Sequence, residues 1–195
     1  MTRVALVVAM VVAGVAVAVG QSFPTRVWTA IATTGTVDEG DTGIYEFHDT
    51  GAVAFKSSAV SGTLDVRFNV TGLPVVETAP PPEEPDGPLG HCVALRAVVR
   101  DTGAGARVVV RLMQLDLFRG TGIRTLGELD SDAALLASTS YHRLERCLSL
   151  PVDFQFDSGQ FVYFVQAQLV KSSGAANPGL RAVSVCNRTA ACDDN

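Results

Sequence analysis

The sequence is short of several things at once. Of its 15 basic residues only Lys56 and Lys171 are lysines; the rest are arginines. No basic cluster breaks the formal net charge of −5, which excludes nucleic acid and an anionic membrane surface as partners. Gly-x-Ser-x-Gly is missing, so no nucleophile elbow is signalled. Cys-x-x-Cys is missing too, and His48, His91 and His142 stand far apart, which removes zinc. Gly120-Thr121-Gly122 begins like a dinucleotide loop, but Thr125 occupies the third glycine position and no βαβ pattern follows. Beyond the N-terminal segment no apolar run is long enough to cross a bilayer. Flat aromatics are scarce, with one Trp and three Tyr. No cofactor is expected. The one metal left open is a structural calcium at Asp38-Glu39-Gly40-Asp41 or Asp130-Ser131-Asp132, where loop acids gather without EF-hand spacing.

What is present begins with an address. Arg3, an unbroken apolar run from Val4 to Val19, and the small residues Ala18 and Gly20 read as a signal peptide over 1–20, cleaved before Gln21; an uncleaved membrane anchor is the alternative. The chain is therefore expected to be exported, secreted or held at the cell surface. The remainder, 21–195, has the length of one domain and carries all 20 acidic residues. Its bias toward Arg, Ala and Val reads as a GC-rich bacterial genome. In an exported chain the even set Cys92, Cys147, Cys186 and Cys192 implies two disulfides. Three pairings exist. Cys92–Cys147 with Cys186–Cys192 is favoured over Cys92–Cys186 between antiparallel neighbours.

Period-2 alternation dominates the rest. Leu64, Val66, Phe68 and Val70 alternate with polar residues over Gly62–Thr71, the pattern of a strand with one solvated face. Cys92–Leu117 reads as a central hairpin: Val93, Leu95, Ala97 and Val99, then the turn Asp101–Gly105, then Val108, Val110 and Leu112. The apolar phase then shifts to Met113, Leu115 and Leu117, which predicts a bulge or bend near Leu112 and Met113. Cys147–Asp157 reads as a strand with Leu148, Leu150, Val152, Phe154 and Phe156 on one face, and Phe161–Leu169 as a central strand. Leu180–Cys186 closes the set. Val27–Ala32, Ile44–His48 and Val53–Phe55 are shorter strands. Six of the nine prolines fall in 74–90, a Pro-rich surface loop. Ser131–Arg146 reads as a loop with one helical turn. The sum is an all-β chain with little helix, a two-sheet antiparallel β-sandwich. A jelly roll is the leading topology and an immunoglobulin-like order the alternative.

Chemistry is less marked. Asp-Thr-Gly occurs at 41–43, 49–51 and 101–103. Asp101-Thr102-Gly103-Ala104, following a hydrophobic strand, resembles the catalytic loop of retroviral-type aspartic proteases. That resemblance would make Asp101 one of two facing carboxylates supplied by a dimer. Arg100 stands where such loops carry an apolar residue, and the same residue types suit an ordinary turn. Sugar binding needs exposed flat rings; Trp28 and Tyr45 could form a platform, and Tyr141 lies in a predicted loop. The reading is a non-catalytic exported protein that acts by binding or assembly, its partner a protein or a polysaccharide, with self-assembly open. A carbohydrate-binding module is the alternative, and a hydrolase using Asp101 comes third.

Overall fold

The computed structural model describes residues 27–71, 92–120, 122–133, 137–150, 154 and 156–188, with the side chains of Val27, Cys92, Asn187 and Arg188 excepted. The expected signal segment 1–20, the loop 74–90 and Cys192 lie outside the described residues. Among the described residues no helix is long and apolar enough to cross a membrane.

The strands are β1 (Val27–Ile31), β2 (Thr36–Val37), β3 (Tyr45–Phe47), β4 (Val53–Phe55), β5 (Gly62–Asn69), β6 (Cys92–Asp101), β7 (Ala106–Asp116), β8 (Ile123–Asp130), β9 (Ser138–Cys147), β10 (Phe161–Lys171) and β11 (Gly179–Arg188). One sheet runs β3-β4-β11-β6-β9, with β1 also paired to β11; the other runs β2-β5-β10-β7-β8. Every pairing is antiparallel. The long pairings nest: β1 with β11, β5 with β10, β6 with β9, β7 with β8. A β-sandwich wound in this way is jelly-roll-like.

The core lies between the sheets and is filled by the alternating rows. Leu64, Val66 and Phe68 from β5, Tyr163, Val165, Ala167 and Leu169 from β10, and Val93, Leu95, Ala97 and Val99 from β6 are all buried there. Truncating a buried leucine such as Leu64 or Leu169 would cost about 2–5 kcal/mol.

Three expectations change. First, β6 and β7 are not a hairpin. β6 pairs with β9 and β11, and β7 with β8 and β10. The turn between them, with φ +92° at Gly103 and +90° at Gly105, carries the chain from one sheet to the other. Positive φ lets a chain reverse; which strands then pair depends on what occupies their edges. Secondly, the register slip at Leu112/Met113 is real but arises in the partner strand, where Leu126 is extra between Gly127↔Leu112 and Thr125↔Met113. Against β10, strand β7 runs unslipped from Ala106 to Asp116. Gln114 therefore stays inward and donates to Tyr163 Oη at 3.4 Å, while Met113 and Leu115 stay outward.

Thirdly, Ser138–Cys147 is a strand, and none of the described part of 148–157 is. β9 is an edge strand that buries Leu144 alone, so its apolar alternation is faint. Leu148, Leu150, Phe154 and Phe156 do pack inward as the alternation implied, but from irregular backbone. Pro151 in their midst has no N–H to give a ladder.

Candidate functional site

The edge where β1 faces β5 is open. Trp28 and Ala30 point inward from β1 and pack against the core rim. Across from them β2 covers β5 only at Arg67 and Val66, leaving Phe68 and Asn69 beyond its end. The chain between β1 and β2 is pressed onto β5 at Gly35, where a Cβ would lie 2.4 Å from Val66 Cγ1 and 2.7 Å from Phe68 Cε1. Only glycine fits so close an approach. Thr34 and Thr36, either side of it, are thereby held at the lip. The result is a groove of about 490 Å³ lined by Trp28, Ile31, Thr34, Thr36, Arg67 and Asn69 among others. Thr34 Oγ1 donates to Ile31 O at 2.8 Å, which fixes its rotamer. Arg67 is exposed and has no carboxylate partner among the described residues. One indole face with hydroxyl, amide and guanidinium groups around it can hold a polar ligand that also has an apolar face.

The other aromatics named from the sequence stand elsewhere. Tyr45, on β3, packs edge-on against Phe47 with centroids 5.2 Å apart. Trp28 is in register with Val185, whereas Tyr45 lies beyond the Ala54↔Gly179 pair at the other end of β11. At about 3.3 Å per residue the two are roughly 20 Å apart, so they do not share one platform. Tyr141 sits on β9 at the opposite edge of that sheet. Its ring has the Arg100 and Arg181 guanidinium carbons 5.1 and 4.6 Å from its centre.

Asp101 closes the β6–β7 corner. It is 2 % exposed and Ser131 1 %. Its Oδ1 accepts from the Gly103 N–H at 2.8 Å and its Oδ2 from the Ser131 hydroxyl, whose oxygen accepts from the Val108 N–H at 2.9 Å. A second copy could not bring its own Asp101 against this carboxylate without opening the corner. The loop acids are likewise engaged. Asp38 caps its own turn through Gly40 N–H, Asp41 accepts from the Asp65 N–H, and Asp130 pairs with Arg107 at 2.6 Å. That hydrogen bond holds the Asp130 carboxyl below its ordinary range and raises Arg107. Among the described residues no three acidic, His or Cys side chains are grouped to hold a metal ion.

No described cysteine is free. Cys147 and Cys186 lie in register with the same residue, Ala94, on opposite sides of β6. Two strand spacings separate them by about 10 Å, beyond the reach of a disulfide. The pairing that joins them is thereby excluded, and the other two remain.

The groove was not visible in the sequence. In the sequence Trp28 stands out only as a residue type, and Arg67 and Asn69 are among the polar residues that alternate over Gly62–Thr71. Only the nested topology brings β1 and β5 to one edge.

No family model matches the chain, and no curated protein does. Among solved structures, a xylan-binding module, CBM15, aligns with TM-score 0.46 at 13 % identity, covering 85 % of this chain and 98 % of that one. The C-terminal CBM6 of a marine laminarinase from Zobellia galactanivorans aligns with TM-score 0.43 at 11 % identity, covering 83 % and 99 %. A family two carbohydrate esterase from Cellvibrio japonicus gives TM-score 0.35 at 10 % identity over 84 % of this chain, which spans about a third (34 %) of that protein. These likenesses are of fold alone.

Proposed function

We propose that the chain is an exported carbohydrate-binding module whose polysaccharide ligand lies in the groove beside Trp28. The supporting observation is the arrangement there: an indole at the rim with Thr34, Thr36, Arg67 and Asn69 around it. A sugar ring stacks its C–H face on an indole and offers hydroxyls at its rim. The module acts by holding its polymer rather than by reacting with it. Binding of the full chain to a panel of polysaccharides, by affinity electrophoresis and calorimetry, tests the reading. Trp28→Ala should weaken binding about 30-fold, the value of an aromatic anchor of about 2 kcal/mol. Saturable binding that is indifferent to Trp28→Ala would overturn it.

Export carries its own expectations. Protein recovered from medium should begin near Gln21, and peptide mapping without reductant should find Cys147 and Cys186 each bridged to Cys92 or Cys192. An intact Met1 would defeat the cleavage, and a free thiol the bridges.

A second reading, assembly with another protein or a second copy, is favoured by Phe118 (81 % exposed) and Ile123 (59 %) with Leu117 at one end of the five-stranded sheet. Its mark would be a concentration-dependent mass in solution, abolished by Phe118→Ser.

A further inference from the structure

The outer face of the six-stranded sheet carries charge of the opposite sign to the chain. On β6, with Val93, Leu95, Ala97 and Val99 turned to the core, Arg96, Val98 and Arg100 face out. Their neighbours across the ladders are Glu145 and Ser184, Arg143 and Ala182, and Gly179. The register of β11 slips between Leu180 and Ala182, which leaves Arg181 as the extra residue, and it lies over the Tyr141 ring on this face. Gly179 leaves room for that ring to lie across the sheet: a Cβ there would be 2.6 Å from Tyr141 Oη.

Four arginines thus share the face. Glu145 lies 2.9 Å from Arg96 and 3.8 Å from Arg143. Arg100 donates to Asn177 O at 3.1 Å and Asn177 Oδ1 at 2.7 Å, both neutral groups. Arg181 has the Tyr141 ring and, among the described residues, no ion pair or hydrogen bond. Among the described strand residues the other carboxylate that the register puts on this face is Glu46; it is in register with Ala54 and so two strand spacings from Gly179, and it faces His48 at 3.6 Å. Two guanidinium groups are therefore gathered on one ring with no counter-ion among the described residues. The ring attracts both through its quadrupole but cancels neither charge.

We propose that the polysaccharide is acidic and that its carboxylates dock on Arg100 and Arg181. The inference rests on the carbohydrate reading above and adds the class of sugar. A guanidinium fork matches a carboxylate in geometry as well as charge. The two places are also continuous. Ile31 lines the Trp28 groove and is in register with Ala182, the residue after Arg181. A polymer leaving the groove crosses about one strand spacing, ~5 Å, to reach the pair.

The test compares polygalacturonate, the same polymer with its carboxyls reduced, and unsubstituted xylan, against the full chain and Arg181→Gln, Arg100→Gln, Trp28→Ala and the control Arg124→Gln, which lies on the other sheet. The acidic polymer should bind on the order of tenfold tighter than its reduced form. Arg181→Gln and Arg100→Gln should erase that preference, Arg124→Gln should keep it, and added salt should reduce it. Arg181 is exposed and has no hydrogen bond among the described residues, so Arg181→Gln carries the result even where Arg100→Gln unfolds. Equal binding of the two forms, with loss in Trp28→Ala, would overturn the acidic ligand and leave the carbohydrate reading standing. Binding of no polysaccharide would remove both. Single-stranded DNA held as tightly as polygalacturonate through Arg181 would make the face a general polyanion surface and also overturn the proposal.

Discussion

Ser131→Ala isolates what holds the corner between the two sheets. The Ser131 hydroxyl gives a charge-assisted bond to Asp101 Oδ2 and takes the Val108 N–H at 2.9 Å, in a place where both residues are buried. Losing the bond to the carboxylate costs about 1.5–3 kcal/mol, and leaving a buried N–H unpaired about 1–3 more. Part of each is recovered by relaxation, so about 3 kcal/mol is the expected loss. In a domain of this size 1 kcal/mol moves the midpoint by roughly 2–4 °C, which gives a fall of about 6–12 °C by calorimetry. Asp101→Asn is the informative companion. It keeps Oδ1 for the Gly103 N–H, and Ser131 Oγ has a second lone pair to accept from the new amide. Its cost should be nearer 1 kcal/mol. Urea unfolding should show the same order with an unchanged slope. A midpoint within 2 °C of the parent for Ser131→Ala, or an Asp101→Asn as damaging as Ser131→Ala, would refute the view that this carboxylate is a fastener.

Other outcomes follow from the same packing. Gly35→Ala forces a methyl into Val66 and Phe68 and should cost about 1–3 kcal/mol by urea unfolding; it should also weaken polysaccharide binding, since Thr34 and Thr36 move with it. Burial raises the Tyr163 phenol above its ordinary value, against the pull of the Asp157 N–H and Gln114. The unfolded chain then ionises first, so its stabilisation is complete below about pH 10 and declines as pH rises toward the folded value. Tyr163→Phe should flatten that alkaline decline, and absorbance at 295 nm should show an ionisation above the ordinary phenol value that Tyr163→Phe removes.

How much of this was legible depends on where a strand sits. β5 and β10 have partners on both edges and one face in the core, so the alternation survives in the sequence, throughout β5 and from Val165 to Leu169 in β10. β8 and β9 are edges. β8 buries Leu126 and Leu129, three apart because Leu126 is the bulge, and that spacing breaks the period of two. The Asp101–Gly105 turn was readable as a turn, but not its passage between sheets, because φ at a glycine says nothing of the partners a strand will find. Trp28, Tyr45 and Tyr141 are alike only in residue type; the fold scatters them over one sheet and supplies Arg67, Asn69 and the arginine face from strands far away in sequence.

The nested pairing has a kinetic consequence. β7 and β8 are close neighbours along the chain, whereas β1 must wait for β11. Contacts of such separation carry a large closure cost and form slowly. The sandwich should therefore assemble from its middle outward, with β11 entering last between β1 and β6. Until residue 188 is delivered one sheet lacks its centre. Under the export proposed above, the chain would stay unfolded, and threadable, until β11 has been made.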